Sequence, residues 1–284
     1  MHYCPRTPRS RPLAGVVEVL FHLEGYEPAH RFERIVPDGR IALVIELDGA
    51  ERFVMDNASL RPLQRCTGSW ISGVHKAFIT IGELPRSTEL CAIRFRPGAA
   101  LPIVQRPLVE LNDRVLPGES VFGDRIMTLR EGLIRASGSE AKLDLIESWL
   151  LERLDEKLRP HPAVQECVSR LIANPMTSTL AEATSGTSVS RKHLVELFKH
   201  HVGPTPKTLH RILRFASIAQ HVQTQEPVDW AAISAACGYA DQSHLIKDFA
   251  RFSGYKPREF LSQEHDRQNF FPVEGRDGVD EGSA

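Results

Sequence analysis

Alternating apolar and polar side chains predict β-structure for most of residues 13–116. Two runs carry the pattern most clearly: Ile41, Leu43, Ile45 and Leu47 in the first, and Cys91, Ile93 and Phe95 beside Arg94 and Arg96 in the second. Turn residues bound them, since Pro37-Asp38-Gly39 precedes the first run and Pro97-Gly98 ends the second. Weaker strand candidates are Phe53–Met55, Trp70–Val74 and Ala77–Ile81. Several short strands of this kind predict a small sandwich or barrel, with a helix at Leu13–His22.

Helical spacing replaces alternation after this region. Arg125–Ile134 and Ser139–Leu154 are predicted helices, and the second has an apolar stripe of Leu143, Ile146, Trp149, Leu150 and Leu154. This stripe packs either on the chain's own N-terminal region or on a second subunit. Pro160-His161-Pro162 marks a boundary, beyond which Val164, Cys167, Val168, Leu171 and Ile172 form another helical stripe. The expected organisation is a β-rich domain at 1–122, a helical connector at 123–159, an all-α domain at 160–262 and a disordered tail at 263–284.

The all-α region contains an internal repeat with an offset of fifty residues, which becomes fifty-one after the second turn. Its first copy has Leu180, Ala183, Thr184, Ser188, Leu194, Phe198, Gly203 and Pro206, and its second has Trp230, Ile233, Ser234, Gly238, Leu245, Phe249, Gly254 and Pro257. In each copy a short helix, a tight turn and a longer helix follow one another, which is the order of a helix-turn-helix. Phe198, Trp230 and Phe249 are predicted core residues.

These residues carry a resemblance to a known family. The run GYADQSHLIKDFARFSGYKPREF, from Gly238 to Phe260, resembles the signature of AraC/XylS-type transcription regulators, and VSRKHLVELFKHHVGPTPK resembles their first helix-turn-helix. The resemblance covers roughly residues 162–262 and implies sequence-specific binding of double-stranded DNA. Two positions depart from the family's pattern: Ser188 stands where glycine is usual, and Glu196 stands where a polar or basic residue is common.

The spacing of the two copies agrees with that implication. A helix from Pro206 to about Val222 is predicted between them, with Leu209, Ile212, Leu213, Ala216 and Ala219 on one face. At 1.5 Å per residue it spans about 25 Å, which suits two recognition helices held about 34 Å apart, one turn of DNA. One chain is therefore expected to enter two successive major grooves.

Each recognition helix supplies candidate DNA-binding residues. They are Ser190, Arg191, Lys192, Val195, Glu196, Lys199, Gln242, Ser243, His244, Lys247 and Arg251. Lys192 can donate to guanine, Val195 can pack on a thymine methyl group, and Gln242 can pair bidentately with adenine. Structural roles compete here: Ser190 and Asp241 are N-cap candidates, and Ser243 is favoured as a turn residue. His200 and His201 are interpreted as capping or phosphate-side groups.

The N-terminal region resembles a poorly characterised domain found ahead of some AraC-type regulators, through VPDGRIALVIEL and IRFRPGAA. By analogy this implies sensing of an unknown small effector. The alternative is a constitutive module for dimerisation or protein interaction. Trp70, His75, Phe78 and Phe95 either line a pocket or fill a core, and the core is favoured. RNA polymerase and a second copy of the chain are further candidate partners.

Composition narrows the function classes. The chain has a net charge of −1, whereas eleven Lys and Arg against seven Asp and Glu give residues 168–262 a local charge of +4, which suits phosphate contact. Five scattered cysteines without a C-x-x-C pair indicate neither a disulfide framework nor a cysteine zinc site. No phosphate loop, H-E-x-x-H or G-x-S-x-G motif indicates an enzyme, and no cofactor or metal is expected. Without a long apolar run or a leader-like N-terminus, a cytoplasmic protein at the bacterial nucleoid is expected.

Overall fold

The computed structural model describes residues 1–82, 88–224, 227–263 and 270–273 of the 284-residue chain. In these ranges the strands are β1 (His2–Arg6), β2 (Val17–Glu24), β3 (Phe32–Ile35), β4 (Ala42–Glu46), β5 (Arg52–Met55), β6 (Pro62–Cys66), β7 (Ser69–Ser72), β8 (Ile79–Gly82), β9 (Glu89–Phe95), β10 (Val115–Pro117) and β11 (Phe270–Val273). The α-helices are α1 (Arg11–Ala14), α2 (Leu101–Val104), α3 (Gly118–Phe122), α4 (Asp124–Arg135), α5 (Ser139–Arg153), α6 (Pro162–Ala173), α7 (Leu180–Thr184), α8 (Arg191–His201), α9 (Pro206–Val222), α10 (Trp230–Ala236), α11 (Gln242–Ser253) and α12 (Pro257–Leu261). Two 3₁₀ helices lie at Leu108–Leu111 and Glu156–Leu158.

The strands form two open antiparallel sheets. The six-stranded sheet has the order β1-β2-β9-β4-β7-β10, and the five-stranded sheet has the order β11-β3-β8-β5-β6. Because the strands lie mainly in the N-terminal region and helices dominate the C-terminal region, the chain is an α+β protein, as the sequence predicted. The predicted strands around Ile41–Leu47 and Cys91–Phe95 are β4 and β9, which pair with each other at the centre of the six-stranded sheet.

Alternation along β4 places its residues on two different faces. Leu43 is fully buried in a core cluster that also contains Ile93 of β9 and Leu143 of α5. Its neighbour Val44 packs instead among side chains that include Ile79 of β8. The six-stranded sheet is therefore covered by helices on one face and by the five-stranded sheet on the other.

The apolar stripe of α5 packs against the chain's own N-terminal region and not against a second subunit. Leu143, Ile146 and Leu150 are fully buried in the core cluster that the strands share, and the Trp149 ring lies 5.3 Å from the Phe122 ring, centroid to centroid. Leu154 is half-buried against the same cluster. A stripe buried in this way is not available to a second subunit.

The predicted helix at Leu13–His22 is wrong. Only Arg11–Ala14 is helical, and Val17–Glu24 forms β2, which pairs with β1 and β9. Gly15 caps the short helix, and the β-branched residues after it favour a strand. Local propensity alone does not reveal the two partner strands that fix this segment.

The predicted disorder of the tail is also wrong for residues 270–273. These residues form β11 and pair with β3 along all four positions, and Phe271 is fully buried. Burial of Phe271 and four paired residues offsets the cost of ordering this piece of chain. The rest of the predicted tail beyond Gln263 lies outside the described residues.

The expected domains share one hydrophobic core. A single buried cluster contains Leu43 of β4, Ile146 of α5, Phe215 of α9, Phe249 of α11 and Phe271 of β11. A second cluster holds α6 to α8 together around Val164, Cys167, Leu194 and Phe198, with Leu209 of α9. The second helix-turn-helix is therefore packed against the N-terminal region.

Candidate nucleic-acid interface

The first copy of the repeat folds as a helix-turn-helix made of α7 and α8. Thr179 and Glu182 form a capping box at the start of α7, and the Ser190 hydroxyl accepts a hydrogen bond from the His193 N–H at 3.3 Å to cap α8. The left-handed turn residue is Gly186, with a φ of +67°. Ser188 therefore does not replace the turn glycine, because that glycine lies two residues earlier in this copy.

The second copy folds in the same way from α10 and α11. Asp229 caps α10, and the Asp241 carboxylate accepts from the His244 N–H at 2.8 Å to cap α11, as predicted. Gly238 provides the turn with a φ of +65°. Ser234 is buried, as close approach of the two helices requires.

The predicted core residues lie on the inner side of these helices. Phe198 and Phe249 are fully buried, and the half-buried Trp230 ring packs edge-on against Phe249 at 5.4 Å. The intervening helix α9 covers Pro206–Val222, as predicted, with a Thr205 cap at its N-terminus. Its 17 residues are a continuous spacer between the two recognition helices.

Nine of the eleven predicted DNA-binding side chains are exposed. The exposed residues are Ser190, Arg191, Lys192, Glu196, Gln242, Ser243, His244, Lys247 and Arg251, while Val195 and Lys199 are half-buried. Three of the Lys, Arg and Glu side chains in this set have protein partners. Glu196 pairs with Lys199 at 2.8 Å, and the Arg251 Nε donates to the Lys76 carbonyl oxygen at 3.1 Å. Arg251 therefore contacts the N-terminal region.

Sequence reasoning missed one exposed apolar residue of the second recognition helix. Ile246 retains 41% of its surface, one helical turn after Gln242. Applying the repeat offset of fifty-one residues to Val195 gives Ile246. This comparison of the two copies could have identified Ile246 from the sequence, because Val195 is itself a candidate for contact with a thymine methyl group.

A buried charge network joins the second recognition helix to the spacer helix. Asp248 of α11 accepts from Arg211 at 2.5 Å and from the Tyr239 hydroxyl at 3.3 Å, and the Arg214 guanidinium lies 3.9 Å away. Arg214 also lies 4.0 Å from the centre of the Tyr239 ring. Burial, the largest influence, raises the pKa of Tyr239 to about 12. Arg211 and Arg214 contribute to the local positive charge, but both engage protein groups.

The aromatic residues considered for a pocket separate into two groups. Trp70 and Phe95 fill the core, as favoured, and Phe78 packs on the Arg34 guanidinium. His75 lines a cavity between the two sheets. The Cys91 thiol is fully buried, and burial raises its pKa to about 12, so it is not a thiolate at neutral pH.

His201 should make the folded state sensitive to acid. Burial first, then the charges of His200 and His161, lower the His201 pKa from 6.5 to about 4. Because the folded pKa is below the unfolded one, its stabilising contribution is complete above pH 6.5 and is lost as the pH falls towards 4. We expect a loss of about 1–2 kcal/mol in urea unfolding at pH 4.5 relative to pH 7.5, after solvent screening.

Two variants check this expectation. His201→Gln should show a smaller pH dependence than the original protein, because glutamine does not titrate. His200→Gln is the matched control and should keep most of it, because His200 is exposed. An unchanged pH profile for His201→Gln would contradict the assignment.

Neither a metal-binding cluster nor a membrane-spanning helix is found within the described ranges. Among these residues, no group of three or more His, Cys, Asp and Glu side chains is arranged to hold a metal ion. No helix in the part of the chain that the structure describes has the length and apolar character needed to cross a membrane.

Comparison with known families matches two parts of the chain. Residues 184–263 match the family described as Helix-turn-helix domain, and residues 6–117 match a family described as Domain of unknown function (DUF6597). No curated protein matches the chain. The match places residues 184–263 in an AraC-type helix-turn-helix domain, a DNA-binding module of transcription regulators.

Solved structures that align with this chain include two forms of ToxT from Vibrio cholerae. An apo ToxT variant is 12% identical with a TM-score of 0.45, over 85% of this chain and 96% of that one. ToxT bound to an unsaturated fatty acid is 12% identical with a TM-score of 0.43, over 87% of this chain and 94% of that one. An AraC-type regulator from Chromobacterium violaceum is 25% identical with a TM-score of 0.31, over 36% of this chain and 90% of that one.

Proposed function

We propose that this chain regulates transcription by reading two successive major-groove segments of double-stranded DNA with α8 and α11. The observation that carries the proposal is the pair of capped helices with exposed polar faces, joined by the single 17-residue helix α9. A spacer of this length spans about 25 Å, which suits boxes one helical turn apart. The protein would act in the cytoplasm, at the nucleoid.

The exposed side chains suggest two kinds of DNA contact, one with base edges and one with phosphates. Lys192 and Gln242 are the proposed base readers, with Val195 and Ile246 packing on thymine methyl groups. Arg191, Lys199, His244, Lys247 and Arg251 are proposed phosphate or base contacts. Ser190 caps α8, and Ser243 lies in the first turn of α11 after the Asp241 cap. Glu196 keeps Lys199 paired until DNA offers phosphate in its place.

Selection of bound sequences from a random duplex library, at a stated salt concentration, tests this proposal directly. Purified full-length protein should enrich a site with two boxes about one helical turn apart. Enrichment of only one box would contradict tandem reading. No enrichment across the salt range would contradict sequence-specific binding by this form of the protein.

The two kinds of contact should separate in a pair of variants. Gln242→Ala should lose about 1–3 kcal/mol of binding energy on the selected site and nearly nothing on random DNA, because base contacts carry the specificity. Lys247→Ala should weaken both by similar factors and reduce the salt dependence. Fluorescence anisotropy on the two DNAs measures this. Gln165→Ala, on an exposed face of α6, is the control.

The N-terminal region is proposed to sense a small effector. A cavity of about 510 Å³ lies between the two sheets, within the usual range of small-molecule sites. This cavity supports a sensing role over the alternative of a constitutive module for dimerisation or protein interaction.

One observation favours the alternative role in assembly. The connector helices leave four large apolar side chains exposed, namely Met127, Ile134, Leu145 and Leu151. Such a surface suits pairing with a second copy of the chain or contact with RNA polymerase. Sedimentation of the original protein and of a Met127→Ser, Ile134→Ser variant would distinguish a dimer from a monomer.

A further inference from the structure

The cavity between the sheets is mostly apolar. Phe21, Val44 and Ala92 of the six-stranded sheet face Ile35, Ile79 and Phe270 of the five-stranded sheet across it. Phe270 belongs to β11, so the C-terminal strand forms part of the wall. A molecule in this space would be selected chiefly by apolar contact.

The charged groups at this cavity neutralise one another. Arg40 pairs with Glu18 at 2.7 Å and lies 3.6 Å from an Asp38 oxygen, while Arg94 pairs with the same Asp38. Two guanidinium groups therefore face two carboxylates. An added charge would have to compete with these existing pairs, whereas an uncharged molecule would not.

One end of the cavity offers neutral hydrogen-bonding groups. The His75 Nε2 lies 2.9 Å from the Ser72 hydroxyl oxygen. Burial lowers the pKa of His75, against the opposing effect of Asp113, so the imidazole is neutral at pH 7. The cavity therefore suits a predominantly apolar molecule with a neutral hydrogen-bonding group.

The strand β11 has one aromatic residue on each of its faces. Successive side chains of a strand point in opposite directions, and here Phe270 lines the cavity while Phe271 is fully buried on the other side. The Phe271 ring lies 4.8 Å from Phe260 of α12, whose ring lies 5.5 Å from Phe249 of the second recognition helix. Movement of Phe270 would therefore reach α11 through three packed rings.

A second contact holds α11 at the same sheet. The Arg34 guanidinium of β3 lies 4.3 Å from the ring centres of both Phe78 and Tyr255, and it donates to the Ser253 carbonyl oxygen at 3.3 Å. Gly254, with a φ of +74°, permits this approach, since a Cβ there would lie 2.7 Å from Arg34 and from Phe78. The Arg251 Nε donates a hydrogen bond to the Lys76 carbonyl oxygen, which is a further contact between α11 and the N-terminal region.

We propose that the C-terminal strand Phe270–Val273 restrains the second helix-turn-helix, and that an uncharged, mostly apolar molecule in the cavity releases it by displacing Phe270. This inference rests on the proposed reading of two boxes by α8 and α11. It predicts that the described arrangement is the restrained one, in which the second recognition helix is exposed but is held against the N-terminal region and is less able to adjust to the second box.

Removing the strand tests the restraint. Phe271→Ala, and separately a chain ending after residue 269, should bind the selected two-box DNA at least about fivefold more tightly than the original protein. Binding to DNA with the first box alone should change by less than about twofold. A chain ending after residue 273 is the matched control and should behave as the original, because it keeps β11.

The outcomes separate this inference from the proposed function. If the original protein selects a two-box site but both variants bind it equally well or more weakly, the restraint is wrong and the tandem reading stands. If the original protein selects no two-box site, both fail. Hydrogen exchange of residues 242–261 gives an independent measure, and it should be faster in the chain ending after residue 269.

A matched pair of probes tests the chemistry of the cavity. Calorimetry with 4-phenylphenol, which is neutral at pH 7, should show binding at least about tenfold tighter than with biphenyl-4-carboxylate. Val44→Trp, which fills the cavity, should abolish that binding. The neutral probe should also raise two-box affinity in the original protein but not in Phe270→Ala. Tighter binding of the carboxylate, or no binding of the neutral probe, would overturn the proposed ligand class.

Discussion

Phe249→Ala is expected to lower the free energy of unfolding by about 3–5 kcal/mol, the cost of deleting a large aromatic side chain from a packed core. Phe249 is fully buried, and three rings surround it: Phe215 at 5.1 Å, Trp230 at 5.4 Å and Phe260 at 5.5 Å, centroid to centroid. These rings belong to α9, α10 and α12. Truncation therefore removes ring contacts that the second recognition helix makes with all three helices.

Urea unfolding, followed by circular dichroism and by tryptophan fluorescence, measures this loss. Because Phe249 shares its core cluster with the N-terminal strands, both probes should shift together. Ile246→Ala, an exposed position on the same helix, is the control and should stay within about 0.5 kcal/mol. A loss below about 1 kcal/mol for Phe249→Ala would contradict the packing described.

The parts of the fold that sequence predicts well are those with local signals. Ser190 and Asp241 are caps because a short polar side chain reaches the next turn's N–H, and the periodic apolar residues of α8 and α11 point to one side. The repeat adds a second, independent signal, since a weak pattern in one copy is supported by the other. The alternation of apolar and polar residues predicted β4 and β9 because it too is a local signal.

The parts that sequence missed depend on distant partners. β11 is a strand because β3 lies beside it, more than two hundred residues away, and nothing local to Phe270–Val273 indicates this pairing. Likewise, Arg211 and Arg214 add only to the count of basic residues in the sequence, whereas in the fold both lie beside Asp248. The cavity follows the same rule, because Arg94 looked like the solvent side of a strand and instead faces the second sheet. Such groupings exist only once the chain has folded.

Asp248→Ala is expected to cost about 3 kcal/mol of folding free energy. The carboxylate is buried, and its removal leaves two guanidinium groups without their anion. Arg211 retains about a third of its side-chain exposure, which places the loss at the lower end of the usual range for breaking a buried pair. Glu196→Ala, an exposed acid on the first recognition helix, is the control and should change stability by less than about 0.5 kcal/mol.

The repeat itself supplies the second half of this test. Leu197 occupies the position in the first copy that Asp248 occupies in the second, fifty-one residues later. The first copy therefore packs this helix face with an apolar side chain, and the second uses a charge network that also contacts Arg211 of α9. Asp248→Leu combined with Arg211→Leu should recover part of the stability lost in Asp248→Ala, because an apolar pair replaces the broken ion pair.

In this double variant, stability should recover in part while the preference for one spacing of the two DNA boxes should not. With the ion pair between α9 and α11 gone, the double variant should fold yet discriminate less between two-box sites whose spacing differs by one or two base pairs. The original protein should prefer one spacing, because Asp248 and Arg211 fix the angle between the spacer helix and the second recognition helix. Equal spacing preference in a folded double variant would show that packing alone sets this angle. The network would then contribute stability without setting the geometry of recognition.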